Sequence, residues 1–144
     1  MSPNVSVILP FFNAEKTLNN AIQSILNQTF QSFELILVDN NSTDNSRKVA
    51  ESLMETDSRV SLIYEPKQGV AFAMNKGLTI STGKYIARMD ADDISMPERI
   101  KKQVDYLEQN PDTDLVGSEV KYMPHHKNTK GFRHFINWVN SFHT

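Results

Sequence analysis

Four short apolar runs, each followed by a segment with helical spacing, constrain this chain more than any other feature. Residues 5–9 (VSVIL) predict a buried strand stopped by Pro10, and residues 33–38 (FELILV) predict a second that ends at Asp39. Residues 60–64 predict a third strand, and 85–89 a fourth. Between them, 14–28 predicts a helix capped by Asn13, with Leu18, Ala21, Ile22, Ile25 and Leu26 on one face. Ser42 or Thr43 is placed to cap a second helix that buries Val49, Ala50 and Leu53 and ends near Asp57. A third follows Gly69 and carries Val70, Ala73, Met74 and Leu78 before Gly83 resets the chain. Ser95-Met96-Pro97-Glu98 has the pattern of a capping box for a fourth helix with Ile100, Val104 and Leu107, stopped at Asn110-Pro111. Residues 115–120 predict a fifth strand. Alternation of this kind predicts an α/β fold, a mostly parallel sheet with right-handed crossovers and helices on both faces. Sheets of that class bind ligands beyond the carboxyl ends of their strands, near the point where strand order reverses.

Three polar clusters fall at predicted strand ends: Pro10 to Asn13, Asp39 to Asp44, and Asp90 to Asp93. The last is the most informative. Asp90-Ala91-Asp92-Asp93 follows the apolar run Tyr85-Ile86-Ala87-Arg88-Met89, and crowded carboxylates repel unless a cation or water relieves them. Carboxylate oxygens are preferred ligands of Mg²⁺ and Mn²⁺, which in turn hold phosphates. On an extended segment Asp90 and Asp92 point the same way, so one can ligate a cation while the other accepts from a ribose hydroxyl or a metal-bound water. Asp39 and Asn40 sit before the second helix cap, where a side-chain oxygen can accept from a base N–H, whereas Ser42, Thr43 and Asp44 are explained by capping. Phe11 and Phe12 are each candidates for core packing or for a stacking face under a nucleobase, with Phe12 preferred because it adjoins Asn13. Asn75 is placed to turn its amide toward the cleft, and Arg88 to face either a diphosphate or solvent. Gly69 and Gly77 do not form a phosphate-binding glycine fingerprint.

The bulk numbers fit one ordinary domain of 144 residues with enough apolar content, 39%, for a core. A net charge of −2 provides no basic field for nucleic acid, and Lys127, Lys130 and Arg133 read as solvated surface. The absence of cysteine removes disulfides and thiolate chemistry and agrees with a reducing cytoplasm. The chain has no signal-peptide pattern, and no apolar run approaches the ~20 residues that span a bilayer. His125, His126, His134 and His143 lack metal-ligand spacing and are expected at the surface or in packing. Phe132, Phe135, Ile136, Trp138, Val139 and Phe142 predict a final amphipathic helix that docks on protein rather than on lipid.

The ordered set VSVILPFFNAEKTLNNAIQSILNQTFQSFELILVDNNSTDNS, GVAFAMNKGL and GKYIARMDADDISMPERIKKQVDYLEQNP resembles the family 2 glycosyltransferases with the nucleotide-sugar-binding GT-A fold, over about residues 4–120. The resemblance implies that Pro10 and Phe12 lie on the base and ribose, with Asn13 and Asn75 nearby. It matches Asp39 and Asn40 to an acidic pair that recognises the base, with Asn40 where a second Asp is common. Asp90, Ala91 and Asp92 match the D-x-D element, with Asp92 the expected ligand of Mn²⁺ or Mg²⁺ and Asp90 the ribose or diphosphate-side partner. Met74 stands where many members carry Arg. The implied donor is a nucleoside-diphosphate sugar, UDP-sugar favoured, and the acceptor a saccharide or lipid-linked molecule. The implied setting is bacterial surface polysaccharide synthesis, in the cytoplasm or at the inner face of the membrane, with peripheral membrane association of a full-length protein. Residues 1–120 then form the nucleotide-sugar-binding domain and 121–144 the incomplete start of an acceptor-side region. No carboxylate past Pro111 (Asp112, Asp114, Glu119) matches the family's catalytic base, which is expected beyond Thr144, so the chain alone is expected to transfer sugar weakly or not at all. Two other readings remain open: a nucleotide-binding module without turnover, and a phosphatase with an aspartyl nucleophile. The latter class normally carries its motif on the first strand.

Overall fold

The computed structural model describes residues 4–122 and 130–141, the side chains of the latter from 133 on. The chain divides into two compact units, Met1–Val104 and Asp105–Thr144. In the first, strands β1 (Val5–Phe11), β2 (Phe33–Asp39), β3 (Val60–Tyr64) and β4 (Tyr85–Arg88) alternate with helices α1 (Leu18–Leu26), α2 (Ser46–Met54) and α3 (Val70–Leu78). Helix α4 (Arg99–Gln109) follows β4, and α5 (Lys130–Val139) lies in the second unit. All strand pairs are parallel and the order is β3-β2-β1-β4. The chain builds outward from β1 through β2 to β3, then crosses back to the other side of β1, so strand order reverses between β1 and β4.

Both faces of the sheet are covered, which is why β1 and β2 read as unbroken apolar runs. Val5, Val7, Leu9 and Phe11 of β1, with Leu35 and Leu37 of β2, pack with Leu18, Ile22 and Ile25 of α1, Ala50 of α2, and Ile100 and Val104 of α4. The alternate residues Ile8, Ile36 and Val38 pack on the opposite face against Ala73, with Met74 alongside. Gly77 completes that contact: a Cβ there would lie 2.5 Å from Ile8 Cγ2, so only glycine lets α3 approach β1 this closely.

Pro10 does not end β1, contrary to expectation; the strand continues through Phe11, paired with Asp39. What Pro10 ends is the pairing with β4. The Met89 amide still donates to the Ile8 carbonyl at 3.0 Å. In a parallel ladder alternate residues bond the same neighbour, so the next donor toward β4 belongs to Pro10, which has none. The ladder between the two strands ends there, at the point where strand order reverses.

Two helix starts differ from the sequence reading. Asn13 is not the cap of α1; the helix begins at Leu18 after a turn, with Thr17 as its N-cap residue. Asn13 has φ 48° and directs its Oδ1 across to the Thr43 amide, 2.8 Å away. Helix α2 likewise starts at Ser46, with Asp44 Oδ1 accepting from the Ser46 amide at 2.9 Å. The capping-box reading of Ser95 is also corrected. Its hydroxyl accepts from Gln28 Nε2 at 3.1 Å, and Gln28 Oε1, from just beyond α1, accepts from the Ile100 amide at 3.0 Å and so caps α4. Glu98 pairs instead with Lys102.

In the second unit, residues 115–120 form no strand, and Leu115 is 87% exposed. No adjacent strand is available among the described residues, and the Val120 amide and carbonyl are bonded by the Asn140 side chain at 2.9 and 2.8 Å. Helix α5 buries Ile136 and exposes Phe135 and Trp138. His134 is exposed, whereas His125, His126, His143, Lys127 and Phe142 lie outside the described residues. No helix among the described residues is long and apolar enough to cross a membrane.

Candidate functional site

The carboxyl ends of β1, β2 and β4 share one edge of the sheet, with β1 in the middle. All three expected polar clusters therefore meet at that edge. Phe11 and Phe12, ambiguous in sequence, separate clearly: Phe11 is core, while Phe12 is 48% exposed. The strand alternation explains this, because Phe11 shares the face of Leu9.

The loops after β1 and β2 hold each other. Asn13 Oδ1 accepts from the amides of Thr43 and Asp44, at 2.8 and 3.3 Å. In return the amides of Asn13, Ala14 and Glu15 donate to Ser42 Oγ, Ser46 Oγ and Asp44 Oδ2 at 3.2, 2.7 and 3.1 Å. Glu15 Oε2 accepts from the Asn45 amide at 3.1 Å. These bonds tie the two loops together just ahead of α1 and α2, which fixes the mouth between them.

Asp39, at the end of β2, is 1% exposed. Its Oδ1 accepts from the Ser42 amide at 2.9 Å, and its Oδ2 lies 3.4 Å from Arg47 Nη1. A buried carboxylate with one backbone donor and one cation keeps acceptor capacity for a further N–H. Asn40 is buried beside it, and its amide is engaged with the loop that precedes α3. Nδ2 donates to the carbonyls of Glu65 and Lys67 at 3.0 and 2.7 Å, and Oδ1 accepts from the Gly69 amide at 2.8 Å. Asn75 is exposed on α3, and Met74 packs into the apolar cluster on Ile8.

Beyond β4 the chain turns through the acidic segment, the Asp93 amide bonding the Asp90 carbonyl at 3.3 Å. Arg88 grips Asp90 with two bonds, Nε to Oδ1 at 2.9 Å and Nη2 to Oδ2 at 3.2 Å. Both side chains are about half exposed, so this pair contributes little to stability and yields readily to a competing cation or phosphate. Ala91 packs against the core, while Asp92 is exposed. Partial desolvation, with repulsion from Asp92 and then Asp90, raises the Asp93 carboxyl above its ordinary range despite Arg99 and Arg88. Arg99, missed in the sequence reading, lies beneath this turn. It donates to the Arg88 carbonyl at 3.4 Å and approaches Met89 Sδ at 3.6 Å, while its buried Nε has no hydrogen-bond partner. Desolvation lowers its pKa, opposed by Asp93 and Asp90. A basic residue six positions past a carboxylate run was the available signal.

No group of three metal-ligating side chains exists among the described residues. The donor set that remains, Asp92 with Asp90 as an exchangeable neighbour, suits a hard divalent cation that completes its shell with phosphate oxygens and water, as Mg²⁺ does with nucleotides. It does not suit a metal caged by protein alone.

Known proteins share this sequence pattern and fold. The family model described as "Glycosyl transferase family 2" matches residues 6–143. The chain is 42% identical over 118 residues to the putative glycosyltransferase EpsE of Bacillus subtilis, covering 81% of this chain and 42% of that protein. Among solved structures it is similar to the mannosyltransferase PcManGT from Pyrobaculum calidifontis in complex with GDP-Man and Mn²⁺. The TM-score is 0.72 at 27% identity, over 85% of this chain and 36% of that one. It also shares its fold with S. aureus TarS 1-349, at TM-score 0.70 and 23% identity, over 84% of this chain and 38% of that one. The parallel sheet is thus that of the GT-A glycosyltransferases. The chain spans less than half the length of the curated relatives it matches.

Proposed function

The chain belongs to glycosyl transferase family 2, and on that premise we propose that it binds a nucleoside-diphosphate sugar across the carboxyl ends of β1, β2 and β4, together with Mn²⁺ or Mg²⁺. One observation carries this reading: Asp39 and the Asp90–Asp93 turn follow strands on either side of β1, at the point where strand order reverses. In this proposal Phe12 offers its exposed ring to the base, with Pro10 and Asn13 shaping the same wall, and the Asp39 carboxylate accepts from a base N–H. A pyrimidine with a single ring N–H suits that arrangement, so a UDP-sugar is the favoured donor. Asp90 receives a ribose hydroxyl or lies beside the diphosphate, Ala91 supplies backbone, and Asn75 faces the cleft. Asp92 holds the cation, with Asp90 a second ligand once Arg88 releases it. The complex of PcManGT with GDP-Man and Mn²⁺ supports the metal part of this reading.

The cation, when bound, stabilises negative charge on the departing diphosphate. Arg88, freed from Asp90, adds a second positive charge at the same place. Such a leaving group needs no protonation, so the remaining requirement is a carboxylate base that takes the acceptor hydroxyl proton during in-line displacement with inversion. This chain spans less than half the length of its curated relatives, and the base is proposed to belong to the part that it does not span. The whole enzyme is proposed to glycosylate a saccharide or lipid-linked acceptor in surface polysaccharide synthesis, on the cytoplasmic side and in peripheral contact with the membrane.

Calorimetric titration with UDP, GDP and dTDP, each with and without Mn²⁺, tests the reading. UDP is expected to bind with Mn²⁺ and to weaken at least tenfold without it. Asp92→Asn is expected to abolish the metal dependence while unfolding at the wild-type midpoint. Binding that ignores Mn²⁺, or survives Asp92→Asn unchanged, refutes the assignment.

A further inference from the structure

The geometry points to Asn40 as a positioning residue, whose carboxamide latches the 65–69 loop onto the end of β2 and thereby shapes one wall of the nucleotide site, while Asp39 alone of the pair reads the base. The inference rests on the proposed nucleotide site and changes the role that the resemblance implies for Asn40. Its first support is how far the carboxamide is already engaged. Both Nδ2 protons are used, on the Glu65 and Lys67 carbonyls at 3.0 and 2.7 Å, and Oδ1 takes the Gly69 amide at 2.8 Å. Asn40 thus has no free donor, and its Oδ1 is committed to the Gly69 amide with one lone pair left, whereas the Asp39 oxygens are charged acceptors with more capacity to spare.

The second support is what the latch holds. Residues 65–69 have no regular secondary structure, yet they join β3 to α3 at the edge of the sheet where the site lies. Gly69 has φ 132° and its amide precedes the first turn of α3, so no intrahelical acceptor exists for it. Asn40 Oδ1 supplies that acceptor. Around it the Glu65 amide donates to the Asp39 carbonyl at 2.9 Å, Glu65 Oε1 accepts from the Lys67 amide at 2.8 Å, and Lys67 Nζ stands 3.8 Å from the centre of the Phe72 ring. The loop, the end of β2 and the start of α3 thus meet at one amide group.

The third support is that the pattern demands an amide. Aspartate has the same shape but only acceptors at neutral pH, and would set a carboxylate oxygen against two carbonyl oxygens. A sequence with Asp at this position cannot hold the loop in the same way. Asn40 in this chain is therefore matched to its own loop and is no weaker substitute for an acid.

The test compares wild type, Asn40→Asp and Asn40→Ser by hydrogen exchange of the 65–69 amides and by UDP titration with Mn²⁺ from pH 7.5 to about pH 5. In Asn40→Asp the loop amides are expected to exchange about tenfold faster and UDP to bind about tenfold more weakly at pH 7.5. The affinity ratio of wild type to variant should shrink as pH falls, because the introduced carboxyl, once protonated, regains one donor. Asn40→Ser, which removes the donors without adding charge, should loosen the loop with no such pH trend, and it carries the test if the Asp variant does not fold. UDP binding in Asn40→Asp equal to or tighter than wild type, with unchanged loop exchange, overturns the latch and restores Asn40 as a base contact. Failure of wild type to bind any nucleotide would sink the function proposed above, while the exchange data would still decide the latch.

Discussion

Placing alanine at Gly77 probes how closely α3 must sit on β1, and the structure gives the size of the effect. The new Cβ would lie 2.5 Å from Ile8 Cγ2 and 3.2 Å from Ile8 Cδ1. Ile8 is fully buried and β-branched, so it cannot swing aside without leaving its preferred rotamer. Overpacking at such a site costs up to about 3 kcal/mol, and the helix gains about 1 kcal/mol from losing a glycine. The net expectation is destabilisation by about 2 kcal/mol, read as a lower urea midpoint with an unchanged slope. A double-mutant cycle sharpens the test. Ile8→Ala alone should cost about 2–5 kcal/mol, but it empties the space the new methyl needs. In its presence Gly77→Ala should therefore become stabilising by about 1 kcal/mol, a coupling of about 3 kcal/mol. If Gly77→Ala stabilises the native chain, or the two changes add to within about 0.5 kcal/mol, the close approach of α3 to β1 is wrong.

Gln28→Ala should destabilise by about 3 kcal/mol in thermal or urea unfolding, because it orphans the Ile100 amide and the buried Ser95 hydroxyl at once. Phe12→Ala should leave the unfolding midpoint unchanged, since the ring is half exposed, yet weaken UDP binding by about 1–3 kcal/mol of stacking. Glu34 gives a pH signature. Burial raises its carboxyl pKa, but hydrogen bonds from the Ser6 hydroxyl and from Thr82 outweigh it and hold the group below the ordinary value of 4.5. A depressed carboxylate stabilises the fold above its unfolded pKa, and the contribution disappears as pH falls through the folded one. Glu34→Gln should thus cost roughly 1 kcal/mol at pH 7 and nothing measurable well below pH 4.

Much of the architecture was legible because it rests on local periodicity. The apolar runs gave four strands in the right places, and helical spacing gave the faces of α1 and α4 that enter the core. What was not legible depends on partners distant in sequence. Asn13 looks like a helix cap, but its left-handed backbone sends the oxygen to a loop 30 residues on. The true cap of α4, Gln28, is 72 residues from the amide it receives. Residues 115–120 have strand composition but no strand to pair with among the described residues, and composition cannot supply one. At the proposed site, carboxylates after an apolar run pointed to the Asp90–Asp93 segment, and the structure puts it directly after β4. Arg99 beneath it left only the signal of a basic residue six positions past the carboxylates, and the loop held by Asn40 left none, because that contact forms only once the sheet brings the ends of β2 and β3 together.

The most direct test of the shared strand-end site is paramagnetic broadening of assigned amide signals by substoichiometric Mn²⁺, with UDP present and absent. The account predicts that UDP makes the loss of signal strong and local, centred on Asp90–Asp93 and extending to Phe12 and Asn13 beyond the neighbouring strand. Broadening centred elsewhere on the protein, or identical with and without UDP, would contradict it.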